Sequence, residues 1–317
     1  MRLMCVSLMC VAVLGAQDTR TYSTSTVDVN GNRVPQGSER TTTSYQNGSD
    51  STELMRSING RLVPVERTDE RVVRDDASGK VVERIVHRYD ANGNPIGTEK
   101  VVVEERKSGG GNSSVITTKY GTDINGSSQI TERTTTQIQA SGSSQTAETV
   151  VERPVGSGSL QTVEKQTVVT SKQGDNYEES ATTYRRNVEG SFYEAVREVK
   201  QHNVTGGESK DNVAEYEVGP NGQMELHGQT VTTAVKRSDG SQDLQVDIYG
   251  KNVPGVFNDG HSLRLTEHQI VERKQGPGNS VVETLSVQRP TVSDPNRLGP
   301  PRELSQTVCR GKCDTNR

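Results

Sequence analysis

Gly126-Ser-Ser-Gln-Ile-Thr-Glu132-Arg133, Gly142-Ser-Ser-Gln-Thr-Ala-Glu148-Thr149 and Gly158-Ser-Leu-Gln-Thr-Val-Glu164-Lys165 are three versions of one phrase, set sixteen residues apart. Outward from them the same spacing carries glycine through Gly110, Gly126, Gly142, Gly158, Gly174, Gly190, Gly206 and Gly222. Beyond Gly222 the ruler stretches to Gly240, Gly260 and Gly278, and before Gly110 it loosens. A fixed period is the mark of a repeated structural unit. The punctuation is turn chemistry: Asn30-Gly31, Asn47-Gly48, Asn59-Gly60, Asn92-Gly93, Asn125-Gly126, Asn221-Gly222, Asp239-Gly240 and Asp259-Gly260. Asn-Gly and Asp-Gly suit tight hairpins because both residues tolerate positive φ.

Between the turns lie about ten residues rich in Thr, Val, Glu and Arg, such as Val81 to Tyr89 and Gln161 to Thr170. Thr and Val are β-branched and favour a pleated surface. The chain therefore reads as all-β: an extended, repetitive antiparallel meander of roughly sixteen strands, most regular over 110–237, in a single-layer or twisted sheet. A β-solenoid with one coil per repeat is the competing architecture. It would stack Gln129, Gln145 and Gln161 favourably, but it would also stack Glu132, Glu148 and Glu164, and like charges placed opposite each other destabilise.

Composition narrows the function. Of 317 residues, 29% are hydrophobic and 3% aromatic, with no Trp and two Phe. Globular domains are usually about 45–50% apolar, so a large dry core holding a cleft active site is excluded. The net charge is −4, with 37 basic and 41 acidic residues. The signs alternate along the chain, which lacks the basic stripe and stacking aromatics of a nucleic-acid binder. Thr98 to Arg106 puts Val and charge on both faces, which implies a sheet wetted on both sides. That same mixture argues against a membrane barrel, which needs an outward apolar band and aromatic girdles.

Residues 1–16 read as a secretory signal peptide: Met1-Arg2, an apolar run from Leu3 to Leu14, then Gly15-Ala16. The run is shorter than the ~20 residues a spanning helix needs. The reading is of a secreted, periplasmic or cell-surface protein with no membrane span once the leader is removed. Residues 17–288 form the repetitive sheet region, and 289–317 a Pro-rich tail marked by Pro290, Pro295, Pro300 and Pro301. Cys5 and Cys10 would leave with the leader. Cys309 and Cys313 remain, and in an oxidising compartment a local disulfide is the default for such a pair. A free or intermolecular thiol pair is the alternative.

Three turns repeat Asp-x-Asn-Gly-[Asn/Ser]: Asp28 with Asn30, Asp90 with Asn92, and Asp123 with Asn125. Oxygens this dense are candidate calcium ligands, since calcium takes six or more. The alternative is an Asp carboxylate that caps the backbone NH groups of its own turn. His87, His202, His227, His261 and His268 are scattered without ligand spacing. No catalytic motif and no cofactor fingerprint is present.

Arg88-Tyr89-Asp90-Ala-Asn92-Gly93-Asn94-Pro-Ile96 resembles a unit of the tyrosine-aspartate repeats of Rhs-type proteins, which build β-hairpin shells around cargo. The resemblance covers about a dozen residues and implies a shared hairpin, not a whole-chain family. The functional expectation is an exported, non-enzymatic structural or interaction protein. It would present a polar sheet to a protein or a surface polysaccharide. A carbohydrate- or calcium-binding module built on the Asn/Asp turns is a second reading, and a largely disordered exported chain a third.

Overall fold

The computed structural model describes residues 16–317 except 29, 47–48, 123–125, 157, 220, 238–240, 252–261, 292, 295–296, 312 and 314–317. The leader thus lies outside the described residues but for Ala16, which opens the first strand. Eighteen strands follow in order. They are β1 (Ala16–Val27), β2 (Arg33–Gln46), β3 (Ser49–Ile58), β4 (Arg61–Asp76), β5 (Gly79–Tyr89), β6 (Pro95–Ser108), β7 (Asn112–Thr122), β8 (Ser128–Ser141) and β9 (Ser144–Val155). The second half comprises β10 (Ser159–Gln173), β11 (Asn176–Arg186), β12 (Phe192–Thr205), β13 (Glu208–Val218), β14 (Met224–Lys236), β15 (Gln242–Gly250), β16 (Arg264–Gln275), β17 (Val281–Gln288) and β18 (Arg302–Gly311).

Every strand pairs antiparallel with its sequence neighbours, and β1 also pairs with β18. That last ladder runs from Arg20 opposite Gly311 to Thr26 opposite Ser305. The antiparallel meander is therefore present, but three expectations are corrected. There are eighteen strands, not sixteen. The sheet is neither open nor a solenoid; it closes on itself as a barrel. The closing strand comes from the segment read as a Pro-rich tail.

A further correction concerns the membrane. No helix among the described residues is long and apolar enough to cross a bilayer, which says nothing about strands. The expectation of no span after the leader rested on charge carried on both faces and on the scarcity of aromatic residues. A closed barrel leaves no unpaired strand edge, and this is the one all-β form that can span lipid. With closure established, that exclusion no longer stands.

Eighteen strands about 4.8 Å apart, tilted by about 40°, close at a backbone diameter of about 36 Å. No side chain among the described residues is fully buried. The wall is held by ladders and cross-strand pairs worth about 0.2–1 kcal/mol each. Thr rows supply several: the hydroxyls of Thr43 and Thr52 lie 3.1 Å apart, Thr136 and Thr149 2.9 Å, and Thr24 and Thr307 across the closing seam 3.3 Å.

The sixteen-residue ruler marks alternate ends of this barrel. Gly126, Gly158, Gly190 and Gly222 stand at one rim, and Gly110, Gly142, Gly174 and Gly206 at the other. The structural unit is the hairpin, twice the ruler. The first of these ends is called the long-turn rim below. At the other, the terminal rim, β1 begins and β18 ends.

Candidate functional site

Side chains alternate across a strand, so the register assigns each one to a face. Of the six most enclosed apolar residues among those described, Val86, Val101, Val281, Val287 and Cys309 fall on a single face, and Ala195 is the extra residue of a bulge in β12. Two hollows open on that same face. One, of about 420 Å³, spans β15 to β18 and β1, with Leu244, Val271, Val281, Cys309 and Tyr22 in its lining. The other, about 510 Å³, spans β8 to β11 and is lined by Glu132, Val151, Arg153, Glu164 and Arg185 among others. Side chains converge on the concave side of a closed sheet and fan apart on the convex side. This face is the lumen.

The lumen wall is polar. Glu70 pairs with Arg84 at 2.6 Å, Glu39 with Arg56 at 2.7 Å, and Glu132 takes both Lys119 and Arg153 at 2.8 Å. The outer face is mixed. Lys100 meets Glu83 at 3.1 Å and His268 Nδ1 meets Asp247 at 2.6 Å. Ile85, Val102, Val199 and Ile270 stand between them, each facing a polar residue on at least one neighbouring strand. Partly exposed pairs of this kind contribute about 0–1 kcal/mol each. Their consequence is chemical: both faces carry paired charge.

The histidines looked unrelated in sequence, yet the register brings four of them to carboxylates on the next strand. His202 Nδ1 lies 2.8 Å from Asp211, with its ring stacked at 4.8 Å on Tyr177 and Lys200 near by. His87 lies 3.6 Å from Asp69 and His227 3.5 Å from Glu217. His268 is the fourth, and His261 is outside the described residues. The signal that would have paired them is the hairpin period, which places residue partners by reflection through each turn. Among the described residues no three His, Cys, Asp or Glu converge as metal ligands.

The Asp/Asn turns lie at the long-turn rim. Asp28 Oδ1 accepts the backbone N–H groups of Asn30 and Asn32, both at 2.8 Å, while Asn32 Nδ2 donates to Oδ2 at 3.3 Å. Asp90 repeats this with Asn92 and Asn94 at 2.8 Å. Asn187 does the same for Glu189 and Ser191. The N–H donors, Asn32 and Asn94 foremost, hold both Asp carboxyls below the ordinary carboxylate range. Asn30 and Asn92 contribute their backbone to the same turns, and Asp123 and Asn125 are outside the described residues. These oxygens face their own loop, one turn at a time, and the structure does not bring Asp28 and Asp90 together.

Cys309 and Cys313 are joined as a disulfide. Cys309 is 5% exposed, on the lumen side of β18, and the cystine forms part of the smaller hollow.

No protein-family model matches this chain, and no curated protein matches it. Among solved structures it is similar to OpdO of Pseudomonas aeruginosa, at 8% identity over 92% of this chain and 94% of that one, with a TM-score of 0.48. A transferrin-binding protein B variant from Haemophilus parasuis aligns over 94% of this chain and 76% of that one, at 6% identity and a TM-score of 0.16. A porin-like protein from Bacteroides uniformis covers 68% of this chain and 96% of its own, at 10% identity and a TM-score of 0.11. Likeness at these scores carries no argument. The barrel rests on its own register.

Proposed function

We propose that this chain is a non-enzymatic β-barrel protein of the cell envelope whose lumen is a water-filled polar passage. The observation that carries this reading is closure: β1 pairs with β18, so the wall has no free edge. Barrels of 16–18 strands are too wide for side chains to fill and leave an aqueous channel. The lumen ion pairs at Glu70–Arg84 and Glu132–Arg153 suit a wall in contact with water. The sequence supplies the address, a leader-like segment over 1–16.

The test is direct. The purified chain is refolded with phospholipid vesicles, and their swelling in isosmotic sugar solution is followed. The reading expects swelling that rises with protein and falls as the sugar grows larger than the lumen. A folded barrel that leaves vesicles sealed to the smallest sugar would overturn it.

A further inference from the structure

β18 is the most weakly held strand at the closing seam. It matches β1 at seven positions and β17 at seven, whereas β1 matches β2 at twelve. Cys309 lies toward the terminal-rim end of this region, opposite Tyr22 on β1 and, in the last pair of the β17 ladder, opposite Val281. Just past it the chain reverses. Gly311 takes φ +96°, and a side chain there would collide with the Thr19 carbonyl. The Cys313 N–H donates to the Gly311 carbonyl at 2.9 Å. The cystine pins this reversal against the lumen face, where its sulfurs help line the hollow formed with Tyr22, Leu244, Val271 and Val281.

We propose that the Cys309–Cys313 disulfide is a redox latch on the closing seam, and that its reduction by a dithiol loosens β18 from β1 at the terminal rim. The step is ordinary exchange. A thiolate of the dithiol attacks one sulfur and forms a mixed disulfide. The second thiol of the reductant then displaces the protein sulfur. The protein gains two electrons and two protons as two thiols, and the reductant leaves as a cyclic disulfide. The ring closed by the bond is only five residues long, so its effect on the unfolded chain is small. Its reach is local, onto a strand whose pairing is short. Local opening of this kind is read by amide exchange.

The experiment is hydrogen exchange on the full chain, oxidised and after reduction with dithiothreitol, with Cys313→Ser as the reductant-free counterpart. Amides of 20–26 and 305–310 are expected to exchange about tenfold faster or more in both open forms, while 144–155 in β9 keep their rates. Unchanged seam rates, or acceleration spread evenly over the barrel, would overturn the latch. If Cys313→Ser fails to fold, the reduced native chain still decides. The readout needs only the ladder between β1 and β18, so it stands apart from the vesicle test of the passage.

Discussion

The two rims of this barrel are built on different rules. At the terminal rim, five of the eight turns leave two residues between the paired ends, as where Ser141 faces Ser144, Gln173 faces Asn176 and Thr205 faces Glu208, whereas five residues separate Lys236 from Gln242 and Gln275 from Val281. At the long-turn rim a five-residue design recurs at 28–32, 90–94, 187–191 and 219–223. In each, the fourth residue is Gly, and its N–H donates to the carbonyl of the first. All nine hairpins closed at the long-turn rim carry a register shift near the turn. Of the pairings closed at the terminal rim, only β4–β5 does. A bulge adds one residue to one strand and increases local twist and bend. One end is thus marked by straight ladders and the other by bulges, while capped and tight turns occur at both, as at Asp76 on the terminal rim and Asn59-Gly60 on the long-turn rim. Curvature for closure is introduced mainly at the long-turn rim.

The largest expected effect breaks the terminal rim. Gly79 opens β5 at φ +150°, where any Cβ collides with the Glu105 backbone. Gly79→Val should cost about 3–4 kcal/mol, read from a denaturant midpoint, because backbone cannot yield as a side chain can. A loss under about 1 kcal/mol would mean that this rim is looser than its ladders imply.

Deleting a bulge residue attacks the other rim. Val163 is the extra residue of β10 between Thr162 and Glu164. Its removal forces Ser159–Thr162 to swap faces or lose pairing, since a one-residue slip turns every side chain over. We expect about 2–3 kcal/mol of destabilisation, with exchange rising at 152–162 and not at 144–147. A deletion without effect would separate curvature from the bulges.

A turn glycine sharpens the contrast. Gly93 sits at φ +85°, and a Cβ there meets only side-chain atoms, Val63 Cγ1 nearest at 3.2 Å and the Pro64 ring beyond it. Gly93→Ala should cost about 1–2 kcal/mol, the left-handed penalty, well below Gly79→Val by the same denaturant titration. Equal losses would erase the distinction between backbone-locked and side-chain-limited rims.

The smallest effect is acid. Asp28 and Asp90 titrate below their ordinary value because they accept N–H bonds from Asn32 and Asn94. A lowered folded pKa gives stability that is present above the unfolded value near 4, and lost as pH falls through the folded one. Asp28→Asn with Asp90→Asn should lower Tm by about 1–2 °C at pH 7, with the gap to the native chain narrowing as pH falls below the unfolded value near 4. A gap that does not narrow as the pH is lowered would assign the effect to something other than the carboxylate charge.

Much of this is legible in the sequence. The glycine ruler and Asn-Gly pairs give strand number to within two, order and antiparallel sense. Closure was not legible. It depends on β1 meeting β18 across 280 residues of chain, and Ser/Thr-rich Thr21–Thr26 carries no mark of its partner. The segment after Arg289 looked like a tail because Pro290, Pro300 and Pro301 dominate its start and hide the strand Arg302–Gly311. A signal for the bulges was present and unread. Pro35, Pro64 and Pro95 stand immediately before the extra residues Gln36, Val65 and Ile96, and proline in a sheet is confined to edges, strand starts and bulges. For the lumen, a mixed pattern on both faces reads as two wet surfaces whether the sheet is flat or closed. Only the register separates the side that converges.

Closure itself is tested most directly by methyl-labelled threonine NMR on the folded chain. Thr43–Thr52 and Thr136–Thr149 are internal standards, ordinary cross-strand pairs whose hydroxyls lie 3.1 and 2.9 Å apart. A closed barrel predicts a Thr24–Thr307 cross-peak of comparable strength, since those hydroxyls lie 3.3 Å apart across the seam. Both standards present with Thr24–Thr307 absent would contradict the barrel and return the molecule to an open sheet.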